Sequence, residues 1–116
     1  MTVYLVNIAG ACFIGLIFIL LGIHQCRSES PVTMNTGEKP LRAEQLSDVK
    51  AWNKGHGKAL ITFGIVMAFT LGTFPVGLNY MNAVTATILW IMAVAAELIG
   101  LTANHNRLER IYRKYL

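Results

Sequence analysis

Hydrophobic and polar positions in this chain are sorted into long blocks, with little interleaving. No Asp, Glu, Lys or Arg precedes Arg27, and a second uncharged run extends from residue 59 to residue 96. A bilayer's hydrocarbon core is about 30 Å thick and a helix rises about 1.5 Å per residue, so residues 2–23 match one crossing. The second run is roughly twice too long for a single crossing. Its middle carries Pro75, Gly77, Asn79 and Asn82, residues that interrupt helices, and so predicts a helical hairpin with spans near 59–75 and 82–103. The expected fold class is an all-α integral membrane protein with three transmembrane helices in a single membrane domain. No room remains for a separate soluble catalytic domain.

Two polar segments flank these spans. In residues 25–58, the part from Arg27 to Lys39 is rich in Ser, Thr, Asn, Pro and Gly and reads as a turn-forming loop. After Pro40, Leu46, Val49 and Trp52 recur at three-residue spacing, with Asp48, Lys50 and Lys54 facing elsewhere. That pattern predicts a short amphipathic helix, capped by Ser47 and ending at a Gly55-His56-Gly57 hinge before Lys58 starts the second span. In the tail, residues 104–116, Leu108, Ile111, Tyr112 and Tyr115 form one helical stripe among Arg107, Arg110, Arg113 and Lys114. The third helix is expected to continue through this basic tail to about Tyr115, its stripe either docking on Leu46, Val49 and Trp52 or lying on anionic lipid.

Charge sets the expected orientation. All ten Lys and Arg residues lie in these two segments, so the positive-inside rule makes both cytoplasmic and places the N-terminus and the hairpin turn outside. The opening Met-Thr-Val-Tyr lacks a basic n-region, so the first helix is expected to remain as an anchor in the plasma membrane. The net charge of +4 then reflects basic flanks and attraction to the lipid bilayer, and no nucleic acid partner is expected. Tyr4, Tyr80 and Trp52 fall where interfacial aromatic residues belong. Trp90 lies mid-span and is expected to fill a groove between helices or subunits.

Glu97 is the one acidic or basic residue inside a span. Burying a carboxylate in hydrocarbon costs several kcal/mol, so it must face protein or water. Ala86, Trp90, Ala93, Glu97 and Gly100 follow four- and three-residue steps and so share a face, which is read as a helix-packing surface. Glu97 sits roughly 9 Å inside the inner end of its span, within reach of Lys58, Thr62, His24 or His56. Lys58 and His24 are its expected partners. Two roles follow: a structural charged contact, or a proton- or ion-linked carboxylate.

Other constellations carry less. Cys12 and Cys26 lie too far apart along one helix to pair and read as reduced residues. His24, Cys26, His56 and His105 share the cytoplasmic side without a recognised ligand spacing, so neither a metal nor another cofactor is expected. Ala11 with Gly15, and Ala68 with Gly72, permit close helix contact. No zinc-protease, nucleophile-elbow or phosphate-loop motif occurs, so no enzymatic role is expected.

Residues 37–58 contain Asp48, Val49, Lys50, Trp52, Asn53 and Gly57, an Asp-Val-Lys-x-aromatic-Asn-x-x-x-Gly pattern leading into a hairpin. In this the chain resembles uncharacterised small three-span membrane proteins of Gram-positive bacteria. More loosely it looks like the immunity-protein family that protects producers from sporulation-delay toxin. The resemblance implies an immunity-like or sensing role and singles out Trp52 and Asn53. Together these readings give a partner-binding or accessory membrane protein that self-associates or joins another membrane protein. The competing expectation is a small oligomeric channel or transporter using Glu97. The candidate functional residues are Glu97, Trp52, Asn53, His56 and Lys58.

Overall fold

A computed structural model describes residues 2–32 and 41–114. Much of the expected turn-rich loop, residues 33–40, and Tyr115 of the expected tail stripe lie outside the described residues. The described chain forms α1 (Thr2–Arg27), a short 3-10 turn (Ala43–Gln45), α2 (Val49–Tyr80) and α3 (Ala83–Tyr112). Each of the three α-helices is long and apolar enough to cross a membrane. They pack into an elongated body of 54 × 23 × 21 Å, with α2 between the other two.

Small residues set the α1–α2 packing. The buried residues of α1 are Ala11, Gly15 and Gly22. A Cβ placed on Gly15 would lie 2.8 Å from both the Ala68 Cβ and the Gly64 carbonyl oxygen, and one on Gly64 would lie 2.6 Å from the Gly15 carbonyl oxygen. Such backbone-to-backbone approach is open only to glycine, and it is how helices associate where water supplies no driving force. The two small pairs noted in sequence meet each other, since Ala11 is the nearest contact of a Cβ on Gly72, at 3.8 Å. Phe18 and Phe63 fill the space beside Gly64 with an edge-to-face contact at 4.9 Å.

The Gly55-His56-Gly57 hinge expected from sequence is absent: α2 runs through it without interruption. The glycines serve packing on two flanks. A Cβ on Gly55 would lie 2.7 Å from Leu108 of α3, and one on Gly57 would lie 2.5 Å from the Gly22 carbonyl oxygen of α1. The separate amphipathic helix is therefore the first turns of α2, capped by Asp48, not Ser47; the Asp48 carboxylate accepts from the Ala51 N–H at 3.0 Å.

Pro75 likewise does not end the helix. Proline has no N–H to give the carbonyl four residues back, and that carbonyl, on Leu71, instead accepts from the Asn7 side-chain amide of α1 at 2.8 Å. The turn is displaced to Met81 and Asn82: the Met81 N–H caps α2 on the Gly77 carbonyl at 3.0 Å, and the Asn82 side chain caps α3 by accepting from the Thr85 N–H at 2.8 Å.

α3 ends at Tyr112, short of the expected Tyr115, because the backbone straightens at Arg113 and pairs with the segment before α2. The Ser47 N–H donates to the Tyr112 carbonyl and the Lys114 N–H to the Gln45 carbonyl, both at 2.7 Å. Leu46, Trp52 and Leu108 form a buried cluster here, with Val32, Leu41, Val49 and Tyr112 against it. The tail stripe thus docks on protein through Leu108 and Tyr112, whereas Ile111 remains exposed.

Candidate functional site

Two polar features stand out in an apolar body: a clasp at the basic end of the bundle and a carboxyl group in the seam between α2 and α3.

The clasp begins with Trp52 and Asn53, both fully buried. The Asn53 amide oxygen accepts from the Val32 N–H at 2.9 Å, and its Nδ2 donates to the carbonyls of Ser28 at 3.0 Å and Ser30 at 2.9 Å. Trp52 Nε1 donates to the Val32 carbonyl at 2.7 Å. Two neighbouring side chains on α2 thereby fix the strand of chain that leaves α1. The Trp52 ring is fully buried in protein, clustered with Leu46 and Leu108 and 4.3 Å from the His56 ring.

His56 follows Trp52 by one helical turn, and its Nδ1 lies 2.9 Å from the Trp52 carbonyl. A carbonyl only accepts, so Nδ1 carries the hydrogen. The other ring nitrogen, Nε2, lies 3.0 Å from Nδ1 of His105 on α3. His105 Nε2 in turn faces Glu109 at 3.8 Å, and Glu109 holds Arg113 at 2.5 Å. The row Trp52 carbonyl, His56, His105, Glu109 and Arg113 thus crosses from α2 to the end of α3. His56 lies on the charged side of Lys58, outside the apolar stretch of α2. Burial pushes its imidazole below the usual value of 6.5; the Trp52 carbonyl opposes this, His105 adds to it, and Glu109 opposes it.

In the seam, the Thr70 hydroxyl of α2 donates to Glu97 Oε1. The other carboxyl oxygen, Oε2, is buried and has no hydrogen-bond partner among the described residues. Two open cavities flank this contact. One of about 440 Å³, toward the turn, is lined by Thr70, Phe74, Trp90 and Ala93 among others; one of about 380 Å³, toward the basic end, is lined by Thr62, Phe63, Glu97, Gly100 and Asn104 among others. The expected Lys58 and His24 contacts to Glu97 are not made: both residues are exposed, and Glu97 forms no ion pair among the described residues. A hydroxyl donor one α-helix away takes their place.

The expected packing face on α3 is only partly correct. Ala86 is buried, Trp90 packs on Phe74 at 5.5 Å, and Ala93 lines the same cavity. Gly100 is exposed and borders the second cavity of the seam, so a Cβ there would meet nothing within 4 Å. Leu101 and Asn104 continue the seam, and the Asn104 amide donates to the Gly55 carbonyl at 3.4 Å.

Of the four His and Cys residues placed on one side by sequence, only His56 and His105 meet. Among the described residues no group of three metal-ligating side chains forms. Sequence reasoning missed Asn7, Thr70 and Glu109. The signal for Glu109 was present, since His105, Leu108, Glu109, Tyr112 and Arg113 share one helical face.

These features define a three-helix protein of membrane-spanning type with a polar clasp and a lone carboxyl group in its apolar seam. No family model matches the chain, and neither a curated protein nor a solved structure matches it.

Proposed function

We propose that this chain is a non-enzymatic, multi-pass plasma-membrane protein that binds a membrane partner in the groove between α2 and α3. The partner is a second copy or a helix of another membrane protein. The observation that carries the reading is Glu97 Oε2, shut away from water without a donor among the described residues, beside an open cavity. Leaving a polar atom unpaired in an apolar medium costs on the order of several kcal/mol. A partner helix that brings an N–H or O–H into the groove recovers that cost. The segregation of Lys and Arg supports a cytoplasmic basic end and an outside N-terminus. The likeness around Trp52 and Asn53 supports an immunity-like or sensing role.

A second reading rests on a different observation: the Thr70–Glu97 contact separates two cavities that lie along one seam. In that reading Glu97 passes a proton or cation between them. Both are tested by weighing the intact complex from native membranes and measuring flux in vesicles, with and without Glu97→Gln. Partner binding predicts a defined complex that weakens in the variant, without flux. A monomer in native membranes overturns partner binding, and flux abolished by Glu97→Gln establishes transport.

A further inference from the structure

We propose that His56 and His105 form a binding site for a single shared proton, whose occupancy holds α3 on α2 and whose overfilling releases it. The inference stands on the clasp and is independent of the role of Glu97.

Proton counting carries it. In the neutral pair, one hydrogen sits on His56 Nδ1 and is given to the Trp52 carbonyl, at 2.9 Å. The second bridges the rings: with His56 Nε2 as acceptor, His105 Nδ1–H is the donor across 3.0 Å. His105 Nε2 then holds a lone pair that faces the Glu109 carboxylate at 3.8 Å, two electron-rich groups with no hydrogen between them. A third proton placed on that nitrogen completes the row, since every nitrogen of the pair then has a partner and the new charge faces a carboxylate. A fourth proton has no place. It would charge His56 and set two N–H groups against each other across the bridge, next to the fully buried Trp52.

The groups around the pair agree with a capacity of one. The charges acting on His56 are those of His105 and Glu109, both on α3, and Glu109 is itself held by Arg113. From α1, the Cys26 thiol donates to the Lys54 carbonyl at 3.8 Å on this stretch of α2. Burial of His56 opposes a second charge, in the same direction as the geometry.

The bridge also sits where release matters. Leu108 lies against Gly55, one residue before His56, and Asn104 reaches the Gly55 carbonyl one residue before His105. Repulsion across the ring pair therefore acts beside the Gly55–Leu108 contact between α2 and α3, at the end of the groove that holds Asn104 and Glu97.

The test is a side-chain ¹H–¹⁵N NMR titration of the full chain in detergent micelles from about pH 8 to 5, the range in which histidine changes charge. Expected is uptake of one proton by the His56–His105 pair across this range, with His56 Nδ1 remaining an N–H throughout. In His105→Gln the amide keeps a hydrogen-bonding group but removes the competing charge, so protonation of His56 should move to higher pH than in the wild type, with burial still opposing it. In Trp90→Phe, which leaves Trp52 as the sole tryptophan, emission should shift red only below the pH at which the pair has taken its first proton. Full protonation of both rings within this range, or an unchanged His56 curve in His105→Gln, would overturn the shared site; Trp52 emission that stays constant as a second proton enters would overturn the release.

Discussion

Asn7 of α1 donates its side-chain amide to the carbonyl of Leu71 in α2 at 2.8 Å, and Leu71 is the residue whose helical donor is missing because position 75 is proline. One side chain thus repairs, from a neighbouring helix, a defect written into the backbone of another.

The repair makes the effect of Asn7 conditional on Pro75. Asn7→Ala should lower stability in detergent by about 1–3 kcal/mol, the range for stranding a buried backbone acceptor. In a Pro75→Ala background the helix supplies its own N–H, and the same change should cost much less. A double-mutant cycle of unfolding free energies measures the difference, and additive effects would refute the coupling.

Glycines in the α1–α2 interface should respond quite differently from those outside it. Gly64→Ala places a methyl group 2.6 Å from the Gly15 carbonyl oxygen, so it should destabilise by about 1–3 kcal/mol through overpacking. Gly10→Ala and Gly77→Ala meet nothing within 4 Å, and should be neutral or stabilising by up to about 1 kcal/mol from helix propensity. Thermal unfolding in one detergent compares all three.

Asn53→Ala should be among the costliest single changes at the basic end. It removes both Nδ2 donors and the Oδ1 acceptor, leaving the Val32 N–H and the Ser28 and Ser30 carbonyls to find new partners. A loss of about 2–4 kcal/mol is expected, with proteolysis or hydrogen exchange increased at residues 28–32. Asn53→Asp keeps the acceptor and loses both donors, so it should not rescue.

Acid should weaken the clasp. His56 has a folded-state value lowered from 6.5, so below about that pH the unfolded chain binds a proton that the folded chain refuses. The contribution of His56 to stability is then fully present above 6.5 and is lost as the pH drops beneath it. Unfolding across this range should show the decline in the wild type and a flatter profile in His56→Gln.

Much of the architecture was legible because it depends on composition over long runs. Blocks without charge declare helices of membrane-spanning length, and the tail stripe left docking on Leu46, Val49 and Trp52 or lying on lipid as alternatives, of which Leu108 and Tyr112 take the first. Breakers misled, for a common reason. Gly55, Gly57 and Pro75 have strong local meanings, yet each is overruled by a neighbour that sequence does not reveal: Leu108, Gly22 and Asn7 respectively. Glu97 was marked as unusual from its surroundings alone, but its partner was sought among cations when the packed helix offered the Thr70 hydroxyl. His105 and Glu109 escaped pairing with His56 because their contact spans forty-nine positions in sequence for the two rings.

The unbroken course of α2 has a mechanical consequence. At 32 residues it is a continuous helix of roughly 48 Å, gripped at its charged end from both sides by Gly22 of α1 and Leu108 of α3. Its far end joins α3 through only two residues, Met81 and Asn82. A flexible joint between the Gly57 and Lys58 positions would have absorbed any tilt imposed near His56. A continuous helix instead acts as a lever, so an angular change of a few degrees at the histidines sweeps the opposite rim sideways by ångströms.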